Sequence, residues 1–391
     1  MKVRFHIPLA IAAFLATTYK PYQKLSKRNR KIIVFRNWHM ERELHKSLDY
    51  LKHRGAHPIH ALPSIRAVTC QFYGNCNKRD LLRDPNILRV DDDIEVTIKP
   101  LPFLFPYMHM PITSRTIVPW GVEKVHAPEA WQYATGRGVK VGVIDTGVDL
   151  SHPMLVANLR QGINIINPDI SPQDDNGHGT HVAGTIAASG GPGSLIGVAP
   201  EAELYPVKAF DKHGKALLSD IGKAVEWCVE NDIRLINMSF GTSSSNQTLQ
   251  EIYLQAYERG AVMIAASGNN GPDGAMGYPG RYPFTIAVGA TDEEDEIASF
   301  SSRGVPVNIC APGVDILSCW LHGGVKRLKG TSMATPHVTG TVALMLERYP
   351  QLYFGQIRQV LSATTTKLPG IARTMQGMGL LNTEKAIEML F

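Results

Sequence analysis

Residues 139–149, VKVGVIDTGVD, join an apolar strand-like run to an aspartate and a Thr-Gly turn. Val141, Val143 and Ile144 sit in a run without polar alternation, the mark of a strand buried on both faces, as in parallel sheets. Comparable runs recur at 233–240 (IRLINMSF), 261–268 (AVMIAASG) and 284–291 (FTIAVGAT). Helical patterns separate them: HVAGTIAAS at 181–189, SDIGKAVEWCVEN at 219–231 and TLQEIYLQAYERG at 248–260. This alternation predicts βαβ units, hence an α/β domain whose mostly parallel sheet is flanked by helices. Ligands of such sheets meet the carboxyl ends of the strands, which places Asp145 and Asn269 where chemistry is expected.

Upstream, residues 31–97 read as a small α+β unit: KIIVFR and SIRAVTCQF as strands, MERELHKSLDYLKHRG as an amphipathic helix, then a short helix and a last strand over 77–98. The order fits a βαββαβ ferredoxin-like unit. Next, IKPLPFLFPYMHMPITS at 98–114 holds four prolines, which forbid a helix and favour an extended segment suited to a groove. The chain thus divides into an N-terminal segment 1–30, a small domain with its linker at 31–114, and a large domain at 115–391. In the first of these, Lys2 and Arg4 precede an apolar stretch at 7–16 with the length of a signal-peptide core. No small-x-small cleavage site follows it, and Lys20, Lys24, Lys27, Arg28, Arg30 and Lys31 come after it without an acidic residue. A signal or anchor and a short helix packed on the small domain both remain open.

The 391 residues carry a formal charge of +5, but residues 1–114 hold 19 Lys/Arg against 9 Asp/Glu, and the remainder 21 against 26. A basic front on an acidic body points to attraction between the two parts and away from a nucleic-acid partner. Hydrophobic residues at 44% and charged residues at 19% exclude whole-chain disorder. Five cysteines are too few for a disulfide scaffold. Cys228, Cys310 and Cys319 lie in apolar runs as expected for buried thiols, and Cys70 and Cys76 are near enough in sequence to pair.

Three segments carry the chemistry: VGVIDTGVD at 141–149, NGHGTHVAG at 176–184 and GTSMATPHV at 330–338. Peptide hydrolysis at neutral pH needs a nucleophile activated by a base that is itself held in one tautomer. Ser332, His178 and Asp145 supply those residue types. Ser332 opens an apolar helix, near the positive end of its dipole. Taken alone, His178 also reads as a helix-capping histidine, or with His181 as half of a metal pair that no further Cys/His cluster completes. Asp145 alone reads as a turn aspartate.

The three motifs, in the order Asp, His, Ser, resemble those of the subtilisin-like serine proteases, and the resemblance extends over essentially all of 115–391. It implies a serine endopeptidase acting on polypeptide substrates without a catalytic cofactor, with Asp145 orienting, His178 as base then acid, and Ser332 as nucleophile. Asn269 matches the family position that donates to the oxyanion, and Asn270 is its loop neighbour. The resemblance sets Ser239, Phe240 and Gly241 along one edge of the substrate strand and Gly214, Lys215 and Ala216 along the other. The first pocket is then lined by Ala265, Ala266, Ser267, Gly268 and Gly277, with no charge, so an apolar or aromatic residue is expected before the cut bond. Met333, next to the nucleophile, reads as core packing, with oxidation there as the alternative.

At the family's tight calcium site the matching positions hold Thr116, Met154 and Gly191, so that site is expected to be missing. The loop NPDISPQDDNGHG resembles another family calcium loop, with Asp169, Ser171 and Gln173 in its pattern and Asn164 in place of an aspartate; a solvated acidic loop is the competing reading. Residues 31–114 look like an inhibitory pro-domain whose tail fills the substrate groove, with self-cleavage expected near residues 108–116, the bond between Ser114 and Arg115 being favoured, to release a monomeric mature form. His39, His45, His53, His57 and His60 fall close together, so charging near pH 6 could alter its docking. The zymogen layout favours secretion. A non-catalytic peptide-binding scaffold held by its own pro-domain is the alternative from another class.

Overall fold

Seven strands form the main sheet of the computed structural model, which describes residues 5–16, 29–72, 77–98, 115–305 and 307–391. In chain order the early elements are α1 (Leu9–Ala16), β1 (Arg30–Phe35), α2 (Glu41–His53), β2 (Ala56–Leu62), β3 (Ala67–Phe72), α3 (Lys78–Leu81), β4 (Ile87–Asp92) and β5 (Glu95–Thr97). Two short helices, α4 (Trp120–Lys124) and α5 (Ala127–Ala130), lead into β6 (Lys140–Asp145), β7 (Ile163–Asn164), α6 (His178–Ala187), β8 (Glu203–Lys208) and β9 (Lys215–Leu217). Then come α7 (Leu218–Glu230), β10 (Leu235–Met238), α8 (Gln247–Glu258), β11 (Val262–Ala266), β12 (Ile286–Thr291) and β13 (Ile309–Pro312). A hairpin of β14 (Ile316–Trp320) and β15 (Gly324–Leu328) precedes the long helix α9 (Thr331–Arg348).

The chain divides into two units, one of 96–215, 233–245 and 257–391, the other of 1–95, 216–232 and 246–256. In the first, the strand order is β13-β12-β11-β10-β6-β8-β7, and its strand pairs run parallel. Val141, Val143 and Ile144 of β6 are fully buried, as their unalternating sequence predicts. Nearly all of α9 is buried too, its Thr335, His337 and Thr341 bonded to backbone carbonyls of the helix itself; Val338 and Val342 share one core with Val143, Ile186, Ile264 and Val288. This packing fixes the carboxyl end of β6 and the amino ends of α6 and α9.

In the second unit, β2-β3-β1-β4 form an antiparallel sheet. The periodic face of α2 (Leu44, Leu48, Leu51) buries against Ile33, Phe35, Val68 and Phe72. The apolar stretch of the N-terminal segment contributes α1 to this core: Ala10, Ile11 and Phe14 are buried, and the Glu41 carboxylate accepts the N–H groups of Leu9 and Ala10 at 3.1 and 3.3 Å. Charged sheet residues bond to α7 and α8. Arg89 forms a bidentate pair with Glu251 at 2.9 and 2.9 Å, and Arg30 lies 2.9 Å from Asp93 and 3.0 Å from Asp220. Ser64 donates its N–H to Glu226 at 2.9 Å, with its hydroxyl on the same oxygen. The linker 99–114, with Ser114 of the expected cut, and Cys76 of the expected pair lie outside the described residues.

Candidate active site

Asp145 is the last residue of β6, His178 the first of α6 and Ser332 the second of α9. The Nδ1–H of His178 donates to Asp145 Oδ1 at 2.8 Å, an oxygen that also accepts the Thr146 N–H at 2.8 Å. Both side chains are sealed from solvent, at 0% exposure for Asp145 and 1% for His178. Burial pulls the imidazole pKa down, but the charge and hydrogen bond of Asp145, with the charge of Asp174, outweigh it, and the net shift is upward. Among the described residues the buried His178 Nε2 has no hydrogen-bond partner, so this nitrogen is not engaged by them.

Glycines flank His178 at two close approaches. A Cβ on Gly177, at φ +104°, would fall 2.4 Å from the Trp320 ring, and one on Gly179 would fall 2.1 Å from Gly147 O. Both permit close packing that holds the ring still. His181 belongs to the structure and not to a metal pair: its Nε2 lies 3.0 and 3.1 Å from the carbonyls of Ile316 and Lys326, and burial pushes its pKa down to about 3. Among the described residues no group of three His, Cys, Asp or Glu could hold a metal.

Ser332 is 8% exposed, in the first turn of α9, where backbone N–H groups lack helical partners. Pro336, four residues on, has no N–H to give the Ser332 carbonyl. The Ser239 hydroxyl supplies it at 2.9 Å and is itself held by Asn237 Nδ2 at 2.9 Å, whose Oδ1 accepts from Thr339 at 2.8 Å. Sequence reasoning assigns Ser239 to the substrate edge and misses this duty; the proline four places after the serine was the signal. Ser239→Ala leaves a buried carbonyl bare and should lower stability by about 1–3 kcal/mol, read as a lower urea midpoint in a Ser332→Ala background.

Asn269 follows β11. Its side-chain oxygen accepts both the N–H and the hydroxyl of Thr331 at 2.9 Å, and since a backbone N–H only donates, the amide NH2 is turned away from Thr331. Asn270 instead bonds to Ala275 O and Ser302, as a loop residue does. Phe240 buries its ring against Phe210, with centroids 4.9 Å apart, and leaves its backbone for the edge beside Gly241. Gly241 and Gly277 are neighbours, and a Cβ on Gly277 would make ordinary contact with Gly241 Cα at 3.5 Å. Gly268 takes φ +112°, and Ala265, Ala266 and Ser267 are buried beside it. Across the site Gly214, at φ +69°, accepts the Ile98 N–H at 2.8 Å; Lys215 and Ala216 follow it in β9, which pairs with β5. Met333 is 1% exposed and packs in the core.

In the two segments weighed for calcium, side-chain oxygens of Thr116, Asn164 and Gln173 already accept backbone N–H groups. Thr116 Oγ1 accepts the Gly191 N–H at 3.2 Å and the Met154 sulfur accepts the Leu195 N–H at 3.4 Å, so direct bonds tie the segment where the family places its tight site. In the other loop, Gln173 Oε1 accepts the Leu150 N–H, Asn164 Oδ1 accepts the Asn167 N–H, and the Ser171 carbonyl accepts the Asn164 amide. Asp169 and Asp175 are exposed in that loop, and Asp175 pairs with Lys208 at 2.7 Å. Cys228, Cys310 and Cys319 are buried, with burial raising each thiol pKa, Cys310 up to about 12.

Residues 136–379 match the model of the subtilase family. The chain belongs to the subtilase family. It is 42% identical over 304 residues to an alkaline protease of Alkalihalobacillus alcalophilus, covering 78% of this chain and 74% of the relative. Against subtilisin Savinase of Lederbergia lenta the identity is 44% over 270 residues, 69% of this chain and 98% of that protein. Against subtilisin E of Bacillus subtilis it is 39% over 315 residues, 79% and 78% of the two chains. This subtilase is therefore a serine-type endopeptidase, a hydrolase of polypeptides that needs no catalytic cofactor. Among its described residues no helix is long and apolar enough to cross a membrane.

Proposed function

We propose that this subtilase cleaves peptide bonds through an acyl-enzyme on Ser332, with His178 as general base and then acid, Asp145 holding the imidazole, and the Asn269 amide with the first-turn N–H of Ser332 receiving the oxyanion. The observation that carries the reading is the 2.8 Å bond from His178 Nδ1–H to a buried carboxylate, which fixes the tautomer that leaves Nε2 basic. Hydrogen bonds from catalytic bases to their nucleophiles often tighten only with substrate bound, so an open Nε2 fits a resting enzyme. The small residues at Gly268 and Gly277 and the lack of charge on Ala265, Ala266 and Ser267 support an apolar or aromatic side chain before the cut bond. A fluorophosphonate tests the reading: one mole should label Ser332 per mole of processed enzyme, and an inert processed enzyme would favour a peptide-binding scaffold.

The chain is made, on this reading, as a zymogen, released outside the cell, whose residues 31–114 inhibit 115–391 until cut. The bond from Ile98 N–H to Gly214 O supports it, since the segment entering the linker already pairs with a proposed substrate edge. So do the pairs of Arg30 and Arg89 with Asp220 and Glu251, which join the basic front to acidic helices. A structural cation at Asp169, Ser171 and Gln173 would share Gln173 Oε1 and the Ser171 carbonyl with the hydrogen bonds they already accept, and no catalytic step depends on it.

Docking on α7 should depend on pH. Burial, the largest cause, pushes Glu226 up to about 7 and Asp220 upward as well. A carboxylate whose pKa is raised by contact binds a proton there, so this part of the contact is complete below the ordinary carboxyl range near ~4 and is lost as pH rises through about 7. His60, lowered by burial and by the charges of Arg30 and Lys223, opposes it in acid. Retention of the cut pro-domain should be about tenfold weaker at pH 8 than at pH 6, measured by its dissociation from the processed complex, and Glu226→Gln should flatten the profile.

A further inference from the structure

Asp174 lies in the loop before α6, is 4% exposed, and accepts five hydrogen bonds. Its Oδ1 takes the Thr146 hydroxyl at 2.8 Å and the N–H groups of Asn176 and Gly177 at 2.9 and 3.0 Å. Its Oδ2 takes the N–H and hydroxyl of Thr180 at 3.0 and 2.6 Å. Gly177 precedes His178 and Thr180 lies two residues after it, so one carboxylate grips the chain on both sides of the imidazole. Thr146, the third partner, follows Asp145; its N–H donates to Asp145 Oδ1 and its hydroxyl accepts the Gly179 N–H at 3.0 Å.

Resting on the reading that His178 is the general base, we propose that Asp174 is a positioning residue, a second carboxylate that ties the strand end bearing Asp145 to the helix start bearing His178 and adds its negative charge to that of Asp145. Two consequences separate this from simple loop stability. Geometry is one: a displacement of His178 by even ~1 Å costs up to about a hundredfold in rate. Charge is the other. Asp145 and Asp174 raise His178 against its burial, while the neighbouring His181 is neutral and the Lys208 ammonium is engaged by Asp175 and the Thr146 carbonyl. Losing one negative charge must lower the imidazole pKa.

Asp174→Asn and Thr180→Val divide the two effects. Asparagine removes the charge and offers an NH2 where Thr180 needs an acceptor; valine removes the two hydrogen bonds of the Thr180 hydroxyl, the one given to Asp174 and the one taken from the Asp149 N–H, and keeps the charge. In processed enzyme, kcat is expected to fall about tenfold to a hundredfold in Asp174→Asn, with the acid limb of kcat/KM moved down by about half a pH unit, a fraction of what a charge within ~4–6 Å commands. Thr180→Val should lower kcat and leave the limb in place. The His178 titration, followed by NMR of histidine-labelled full-length Ser332→Ala with and without Asp174→Asn, reads the charge effect without any turnover. A downward shift there supports the proposal even if the wild type proves inactive, which would sink the protease reading alone. An unmoved titration overturns it. Should Asp174→Asn not fold, Thr180→Val with unchanged kcat overturns it as well.

Discussion

Ser332→Ala should remain whole by intact mass and leave casein undigested, while the wild-type chain sheds about its first 114 residues and digests casein. Removing the nucleophile of such a triad costs on the order of a million-fold in kcat, about 8 kcal/mol of barrier. The loss should be chemical and not structural. The contacts that seat Ser332 go through its backbone: its carbonyl accepts Ser239 at 2.9 Å, and Gly330, held to the Gly313 carbonyl at 2.8 Å, fixes the turn before it. Alanine keeps all of these and suits a helix start's second position. The unfolding midpoint should therefore stay near that of the inhibited wild type, and residual turnover should come only from the oxyanion donors and substrate binding. Self-cleavage of purified Ser332→Ala at the wild-type rate would remove Ser332 from the mechanism.

The parallel sheet was legible because β6, β10, β11 and β12 are buried on both faces and so have unbroken apolar sequences. Two strands hid behind prolines. Pro206 sits inside β8, next to the central strand β6, yet β7 pairs only with Val207 and Lys208, so at Pro206 the strand has a free edge and no ladder bond is lost. Pro58 sits in β2, where the register with β3 shifts between Pro58 and His60 and absorbs it. The site divides in the same way. Asp145, His178 and Ser332 are readable because each stands at the end of a periodic element. The duties of Ser239 and Asp174 depend on which carbonyl or N–H group is left without a helical partner, and only Pro336 and the crowding around Gly177 reveal that. Calcium is not legible in the sequence for a related reason: oxygen atoms at alternating positions say nothing about whether backbone N–H groups already hold them.

Asp145→Asn should lower kcat about ten-thousandfold with little change in KM. Asparagine fits the space, and its carbonyl can stay on the Thr146 N–H and the His178 Nδ1–H that Oδ1 now receives. Its NH2 then lies where Oδ2 has no hydrogen-bond partner among the described residues, a buried donor left bare. The alternative rotamer gives the NH2 to His178, forcing Nδ1 to accept and putting the proton on Nε2, where no base remains for Ser332. Either way the charge is gone. The imidazolium that forms as Ser332 attacks would be a cation 1% exposed and without its nearest counter-charge, which is costly in a dry site. Sign follows from cause: Asp145 raises His178 against burial, so its loss lets burial prevail and the acid limb of kcat moves to lower pH. Steady-state kcat over pH 5 to 10 in processed enzyme measures both effects. A variant within tenfold of wild type would mean that Asp174 alone can hold and charge-balance His178, which the 2.8 Å bond to Asp145 argues against.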